Sequence, residues 1–346
     1  MDFKNVKKLG RCFECEGELW CAFSATGISF EFFGKKLEIK IKADKAFKSP
    51  ENQARIAVYL DDERKFDFML DEALKSIPIY EGEKKKMTVR VIKLSETAMS
   101  TFGISQIVTD EAAIIKPSED KAHKIEFIGD SITSGYGVDD EVAEHHFKTA
   151  TEDVTQAYAY KIINELKLDY SLVSISGYGI ISGYTDDPEK KNPKETLPQY
   201  YESLGFSYQS FQDKIPPQTV KWDFNKFIPE AVVINLGTND ASYCKTKEKQ
   251  EEYRDKYVEF LKRVRKNNPK AMLFSVLGIM DTLLIPSMKE AVEIYKKESG
   301  DDRIECFEFE IQDQSLGYVA DFHPTKANHE KACRAFLPFL RKKMGW

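Results

Sequence analysis

No run of this chain stays apolar long enough to suggest a membrane span. The longest, residues 271–280 (AMLFSVLGIM), reaches about half of the ~20 residues that a spanning helix needs, so no membrane partner is expected. No secretory leader is read at the N-terminus either. The opening stretch MDFKNVKKLGRCFE has neither an apolar core nor a small-residue cleavage site, so the protein is expected to be cytoplasmic unless a leader has been removed. Glycine and proline are scarce, 18 and 13 among 346 residues and without a repeat, which excludes collagen-like and low-complexity classes. Neither sign of charge dominates: 51 basic residues against 57 acidic ones give −6. No strongly basic face is implied, so no nucleic-acid partner is expected. Cysteine offers one tight pair among its six, Cys12 and Cys15, with Cys21 close behind. A zinc site would want a fourth Cys or a His nearby, and none lies in the first hundred residues. The three are read as reduced cysteines packing as small hydrophobes in strands. No metal and no other cofactor is expected.

What the chain does have is aromatic and apolar bulk. Aromatics at 12% and hydrophobics at 42% are too rich for disorder, and the length suggests about two domains. Residues 1–115 and the rest differ in pattern. From 19 to 41 the sequence LWCAFSATGISFEFFGKKLEIKI alternates over short stretches and breaks at glycine, a strand pattern. Further strands are expected at 54–60, 65–70, 87–94 and 104–109. Many short strands without a long amphipathic helix predict an all-β sandwich, a jelly roll. Residues 116–124 (KPSEDKAHK) read as a polar linker.

Residues 125–346 alternate strands with helices. Strands are expected at 125–128, 172–175, 231–236, 272–277 and 304–309. Helices are expected at 154–166, 246–267, 286–297 and 325–343. The pattern predicts a three-layer α/β/α domain with a parallel sheet. Residues 183–225 hold five prolines and many tyrosines with little periodicity. So long an irregular segment is usually functional, or else hides a small helix or two.

In open parallel sheets, ligands bind beyond the carboxyl ends of the strands. Four loops there carry chemistry. Gly129-Asp130-Ser131 follows the first strand, Ser176-Gly177-Tyr178-Gly179 the second, and Gly237-Thr238-Asn239-Asp240 the third. Asp321-Phe322-His323-Pro324 precedes the last helix. These are the parts of an acyl-transfer site. A serine hydroxyl is a weak nucleophile and needs an adjacent base, which makes Ser131 and His323 the candidate pair. Negative charge on the carbonyl oxygen needs donors already in place. The N–H groups of Ser131 and Gly177 and the side-chain amide of Asn239 are the candidates.

Those four blocks resemble the SGNH (GDSL-like) hydrolases over residues ~125–346. The extended runs GDSITSGYG, WDF at 222–224 and VINLGTND at 233–240 are similar to carbohydrate esterase family 2. That family places a jelly roll before an SGNH domain, so the resemblance covers nearly the whole chain. It implies a Ser131 nucleophile, His323 as base and an oxyanion hole from Ser131, Gly177 and Asn239. It also implies metal-free removal of acetyl groups from acetylated oligosaccharides or polysaccharides of plant origin. With no leader, imported oligosaccharides are expected more than insoluble polymer. Other SGNH reactions, such as lysophospholipase or thioesterase, and a non-catalytic carbohydrate-binding protein, are the alternatives.

Two positions depart from the family pattern. Many SGNH enzymes carry an Asp three residues before the His. Here that position is Ala320, and the acid is Asp321, two before. Two residues apart on an extended segment, side chains point the same way. Either the Asp321 carboxylate or a backbone carbonyl therefore orients His323. Phe322 stands where the family often has Trp. Tyr136, Tyr178, Trp222 and Phe322 are the candidate substrate wall, since sugar C–H faces pack on rings. His145 and His146 read as solvated loop residues, and His329 as a surface helix residue.

Overall fold

Period-two alternation is densest in the first third of the chain, and that third forms strands. The structure, a computed structural model, describes residues 3–346. Nine antiparallel strands come first: β1 (Lys7–Leu9), β2 (Cys12–Cys15), β3 (Glu18–Cys21), β4 (Gly27–Ala43), β5 (Arg55–Leu60), β6 (Glu63–Met69), β7 (Leu74–Lys93), β8 (Phe102–Thr109) and β9 (Ile114–Pro117). Their order is β2-β3-β8-β4-β7-β5-β6, with β1 and β9 also paired to β4. The register of β4 shifts near Gly34. Before that point it pairs with β9, and after it with β8. One strand thus serves both layers, and its inward residues Phe30, Phe32, Leu37, Ile39 and Ile41 share a single core. This is the expected jelly-roll sandwich. The short strands β1, β2 and β9 were not expected. β9 runs on into the segment read as a linker, because Lys116 and Pro117 pair with Glu31 and Phe30.

Five parallel strands follow: β10 (Lys124–Gly129), β11 (Asp169–Ser174), β12 (Ala231–Asn235), β13 (Met272–Ile279) and β14 (Ile304–Ile311). Helices are α1 (Ser131–Ser134), α2 (Tyr158–Leu166), α3 (Asp240–Tyr243), α4 (Lys247–Asn267), α5 (Ile285–Ser299) and α6 (Lys326–Met344). A two-stranded ribbon, β15 (Tyr318–Val319) and β16 (His323–Pro324), precedes α6. Along β12 every residue is buried, as a sheet covered on both faces requires. Val232 and Ile234 face α4 and α5, whereas Val233 faces α2 and α6. Among the described residues, no helix is long and apolar enough to cross a membrane.

The sheet order β11-β10-β12-β13-β14 reverses direction at β10. Such a switch point opens a crevice outside the strand ends, and the loops after β10, β11 and β12 meet there. The helix expected at 154–166 starts later. Asp153 caps a short turn, Val154–Gln156, and Ala157 is extended before α2. Residues 183–225 contain only three short 3-10 turns, anchored by the buried Leu197 and Tyr201.

The two sheets pack together through buried groups. Lys7 bonds the Asp169 carboxylate at 2.7 Å. The buried Arg11 guanidinium reaches Glu126 at 3.1 Å and lies over the rings of Tyr201, Trp222 and Phe224. Leu9, Ala25, Tyr59, Ile92 and Leu94 of the sandwich share one apolar cluster with α2 and α6.

Candidate active site

The nucleophile candidate sits where β10 turns into α1. A Cβ at Gly129 would lie 2.1 Å from the Thr133 hydroxyl oxygen, so only glycine lets the turn close. Asp130 is extended, and its carboxylate accepts the Ile132 N–H at 3.0 Å, the geometry of an N-cap. Ser131 is thereby the first residue of α1, where a helix leaves its N–H groups free.

His323 comes from the far end of the chain, in β16, just before Thr325 caps α6. Its Nε2 lies 2.9 Å from Ser131 Oγ. Its Nδ1 lies 3.1 Å from the carbonyl oxygens of Ala320 and Asp321. Two acceptors at Nδ1 place the ring proton there, which leaves Nε2 to accept from the serine. Burial lowers the imidazole pKa from 6.5 to about 4, against the backbone hydrogen bonds that raise it. At neutral pH the ring is therefore uncharged and able to act as a base.

Of the two alternatives, backbone carbonyls orient His323 and the Asp321 carboxylate does not touch the ring, which corrects its expected place among the catalytic side chains. That expectation assumed an extended segment. Instead Asp321 has φ 50° and Phe322 φ 59°, so the backbone turns left-handed and the carboxylate swings away. It accepts the Tyr136 hydroxyl at 2.6 Å and the Phe147 N–H at 3.1 Å, and faces His146 Nδ1 at 3.0 Å. Burial pushes this carboxyl up, but the bonds from Tyr136 and His146 hold it below its ordinary pKa. What Asp321 offers His323 is its main-chain carbonyl.

The candidate wall residues divide. Tyr136 backs the imidazole: its ring stacks on His323 at 4.0 Å and 24°, and on Phe147 at 4.5 Å. Tyr178 is buried and packs on Tyr200 and Phe206. Phe322 is 53% exposed, its ring edge-on to Tyr318. Trp222 does not join them. It packs against the cluster of Trp20, Ala22, Leu204 and Phe211, under the Arg11 guanidinium. The WDF run is thus part of the seam between the sheets. His329, expected on the surface, is fully buried and accepts the Tyr158 N–H at 3.3 Å.

The candidate oxyanion donors converge from three strand ends. Residues 175–178 form a turn closed by Tyr178 N–H to Ile175 O, with Gly177 at φ 81°. A positive φ at the third position of a turn favours glycine. No atom lies within 4 Å of where a Gly177 Cβ would stand. The constraint there is conformation, and the space beside the turn is open. Among the described residues no acceptor takes the N–H of Ser131 or of Gly177. The Asn239 amide nitrogen donates to Tyr178 O at 3.0 Å and lies 3.3 Å from the Asp130 carboxylate. The longer contact is the one a third acceptor can displace.

Two supporting carboxylates were not found from sequence. Asp240 accepts the N–H groups of Ile180, Ile181 and Ser182 at 2.7–3.1 Å and so ties the loop after β11 to the end of β12. Glu96, from the sandwich, accepts the Ser176 N–H at 2.7 Å. For Asp240 the only sequence signal was its place after Asn239, and Glu96 carried none.

Residues 127–331 match the GDSL-like lipase/acylhydrolase family, and residues 9–118 match the carbohydrate esterase 2 N-terminal family. The chain is 27% identical to the cellulase/esterase CelE of Acetivibrio thermocellus over 94% of its own length, and spans 38% of that protein. It is also 27% identical to an acetylxylan esterase/glucomannan deacetylase of Cellvibrio japonicus, over 75% of this chain and 70% of that one. Among solved structures, the acetyl xylan esterase Est2A from Butyrivibrio proteoclasticus superposes with a TM-score of 0.88 at 22% identity, covering 100% of this chain and 97% of that one. A family two carbohydrate esterase from Clostridium thermocellum, in complex with cellohexaose, superposes with a TM-score of 0.85 at 24% identity, covering 99% of each chain.

Proposed function

Since the chain belongs to the GDSL-like lipase/acylhydrolase family, and within it to carbohydrate esterase family 2, we propose that it removes O-acetyl groups from acetylated plant-derived sugars. The observation that carries this reading is the Ser131–His323 contact at 2.9 Å beside two unclaimed backbone N–H groups. A nucleophile, its base and a preformed anion site are what ester hydrolysis asks for. Relatives named as acetylxylan esterase and glucomannan deacetylase favour acetyl over longer acyl groups, and xylo- and manno-configured sugars as carriers.

In this reading the acetyl carbonyl sits over Ser131. Its hydroxyl attacks as His323 Nε2 takes the proton, and the Ala320 and Asp321 carbonyls steady the imidazolium through Nδ1–H. The carbonyl oxygen gains negative charge against the N–H groups of Ser131 and Gly177 and the Asn239 amide. His323 returns the proton to the departing sugar hydroxyl. Water then repeats the sequence on the acetyl-enzyme, with His323 again as base.

Acetate release from acetylated xylo- and manno-oligosaccharides tests the reading. Wild-type protein is expected to release acetate from at least one of them, and S131A to lose at least ~10³-fold in rate. Unchanged release by S131A would remove Ser131 from the chemistry. Faster turnover of long-chain acyl esters would replace the sugar-acetate reading with a lipid one.

A further inference from the structure

The connection between β7 and β8 bonds back to the sandwich through Leu94, Ser95 and Thr101, and between those anchors it reaches across to loops of the parallel-sheet domain. Leu94 O accepts the Val154 N–H at 3.1 Å. The Glu96 N–H goes to the Glu152 carboxylate at 2.7 Å. The Thr97 hydroxyl donates to Phe206 O at 3.0 Å, and Ala98 O accepts the Tyr208 N–H at 2.9 Å. This strap thus reaches two of the loops at the site, the turn after β11 and the irregular 200–208 segment.

Glu96 is at its centre, 1% exposed. A buried carboxylate is costly unless it is paired and hydrogen-bonded. Here Lys93, also fully buried, donates to the carbonyls of Ser95 and Glu96. Burial pushes the Glu96 carboxyl up in pKa, while Ser176 and Lys93 pull it back. Lys93 meets main-chain oxygens and leaves the carboxylate itself unpaired by any salt bridge among the described residues, so what that carboxylate holds matters more. It holds Ser176, the second residue of the 175–178 turn. On the other side Gly177 O is fixed by the Tyr184 N–H at 2.9 Å. The peptides on both sides of the one that carries the Gly177 N–H are thus tethered, and they fix the place from which that N–H projects.

We propose that Glu96 is a positioning residue of the esterase reaction: from the sandwich, it clamps Ser176 so that the Gly177 N–H keeps facing the oxyanion. This rests on the esterase reading above. It gives the N-terminal half a part in turnover beyond sugar binding or bulk support.

Two substitutions separate reach from charge. E96Q keeps an acceptor at the same distance and loses the charge. E96D keeps the charge and falls one methylene short of Ser176. E96M, of similar length and without an acceptor, is the second bond-deleting variant should E96D fail to fold. Measured on an acetylated xylo-oligosaccharide, E96D or E96M is expected to lose roughly 10–100-fold in kcat with KM changed less than about threefold, since a small misplacement of a transition-state donor acts on kcat. E96Q is expected to keep kcat within about threefold. Melting temperatures are read alongside. Wild-type kcat in E96D and E96M overturns the proposal, as does an E96Q that falls as far as they do. If wild type hydrolyses only 4-nitrophenyl acetate, the sugar reading fails, and the same comparison on that ester still decides the role of Glu96.

Discussion

At His323 the two ring nitrogens answer to different neighbours. Nδ1 is held by two main-chain carbonyls, and Nε2 meets the serine. With no carboxylate on the ring, burial dominates its titration and lowers the pKa to about 4. A protonated imidazole cannot take the serine proton, so activity is lost as pH falls through that value and is full above it. The acid limb of log kcat/KM, which reports the free enzyme, is therefore expected near pH 4, with most activity kept at pH 5.5. A limb near 6.5 would mean that the ring is solvated. The same geometry sets the outcome for D321N. Asparagine tolerates a positive φ and leaves the main-chain carbonyl in place. Its kcat is expected to fall less than about tenfold, against roughly 10⁴-fold where an aspartate side chain fixes the tautomer. A loss near 10⁴ would restore the carboxylate to the His323 ring. Ser131, Gly177, Asn239 and His323 were legible because strand-end position and residue type coincide. Which alternative orients His323 was not legible because spacing carries no sign of φ: two consecutive non-glycine residues at positive φ leave no mark in the sequence.

Elements were legible in proportion to their periodicity. The long helices α4 and α6 begin where Thr246 and Thr325 supply capping hydroxyls, and the apolar run of β12 announces a doubly covered strand. The short pieces were not legible. α1 has four residues, too few to show a 3.6-residue period, and it exists because Asp130 caps it. That cap has an electrostatic consequence. Asp130 is fully buried, and desolvation, aided by nearby Asp240, raises its pKa from 3.8 to about 7. A carboxyl whose folded pKa is raised favours the folded state fully below the unfolded value, and the advantage fades as pH rises through the folded one. D130N carries no such charge and, as asparagine, still caps a helix. Its stability relative to wild type is thus expected to improve between pH 4 and pH 8, by an amount on the order of 4 kcal/mol for a shift of about three units. Denaturant melts of both proteins at the two pH values measure this. A difference that stays constant with pH would show that Asp130 remains ionised throughout.

On the scale of the whole chain, composition pointed to two halves of different kind, and the sheets are indeed antiparallel first and parallel second. What composition could not convey is how firmly the halves depend on each other. Contacts between strands far apart in sequence depend on shape, and Arg11 or Glu96 in isolation looks like any charged residue near a turn. In the folded chain Glu126, inside the parallel sheet, is 2% exposed and shares its carboxylate among Arg11, Tyr201 and Ser171. Asp153, 1% exposed, depends on Arg64 of the sandwich. Removing one partner of a buried ion pair costs ~3–5 kcal/mol, and domain stabilities total only about 5–15 kcal/mol. Excising the sandwich strips both pairs at once and opens the apolar cluster that Tyr59, Ile92 and Leu94 share with the second domain. Residues 124–346 produced alone are therefore expected to lack a cooperative thermal transition and to bind a hydrophobic dye. The full chain is expected to lose secondary structure and esterase activity together in one transition. An excised fragment that melts cooperatively near the full-length temperature, with turnover intact, would mean that the sandwich contributes neither stability nor, through Glu96, geometry to the site.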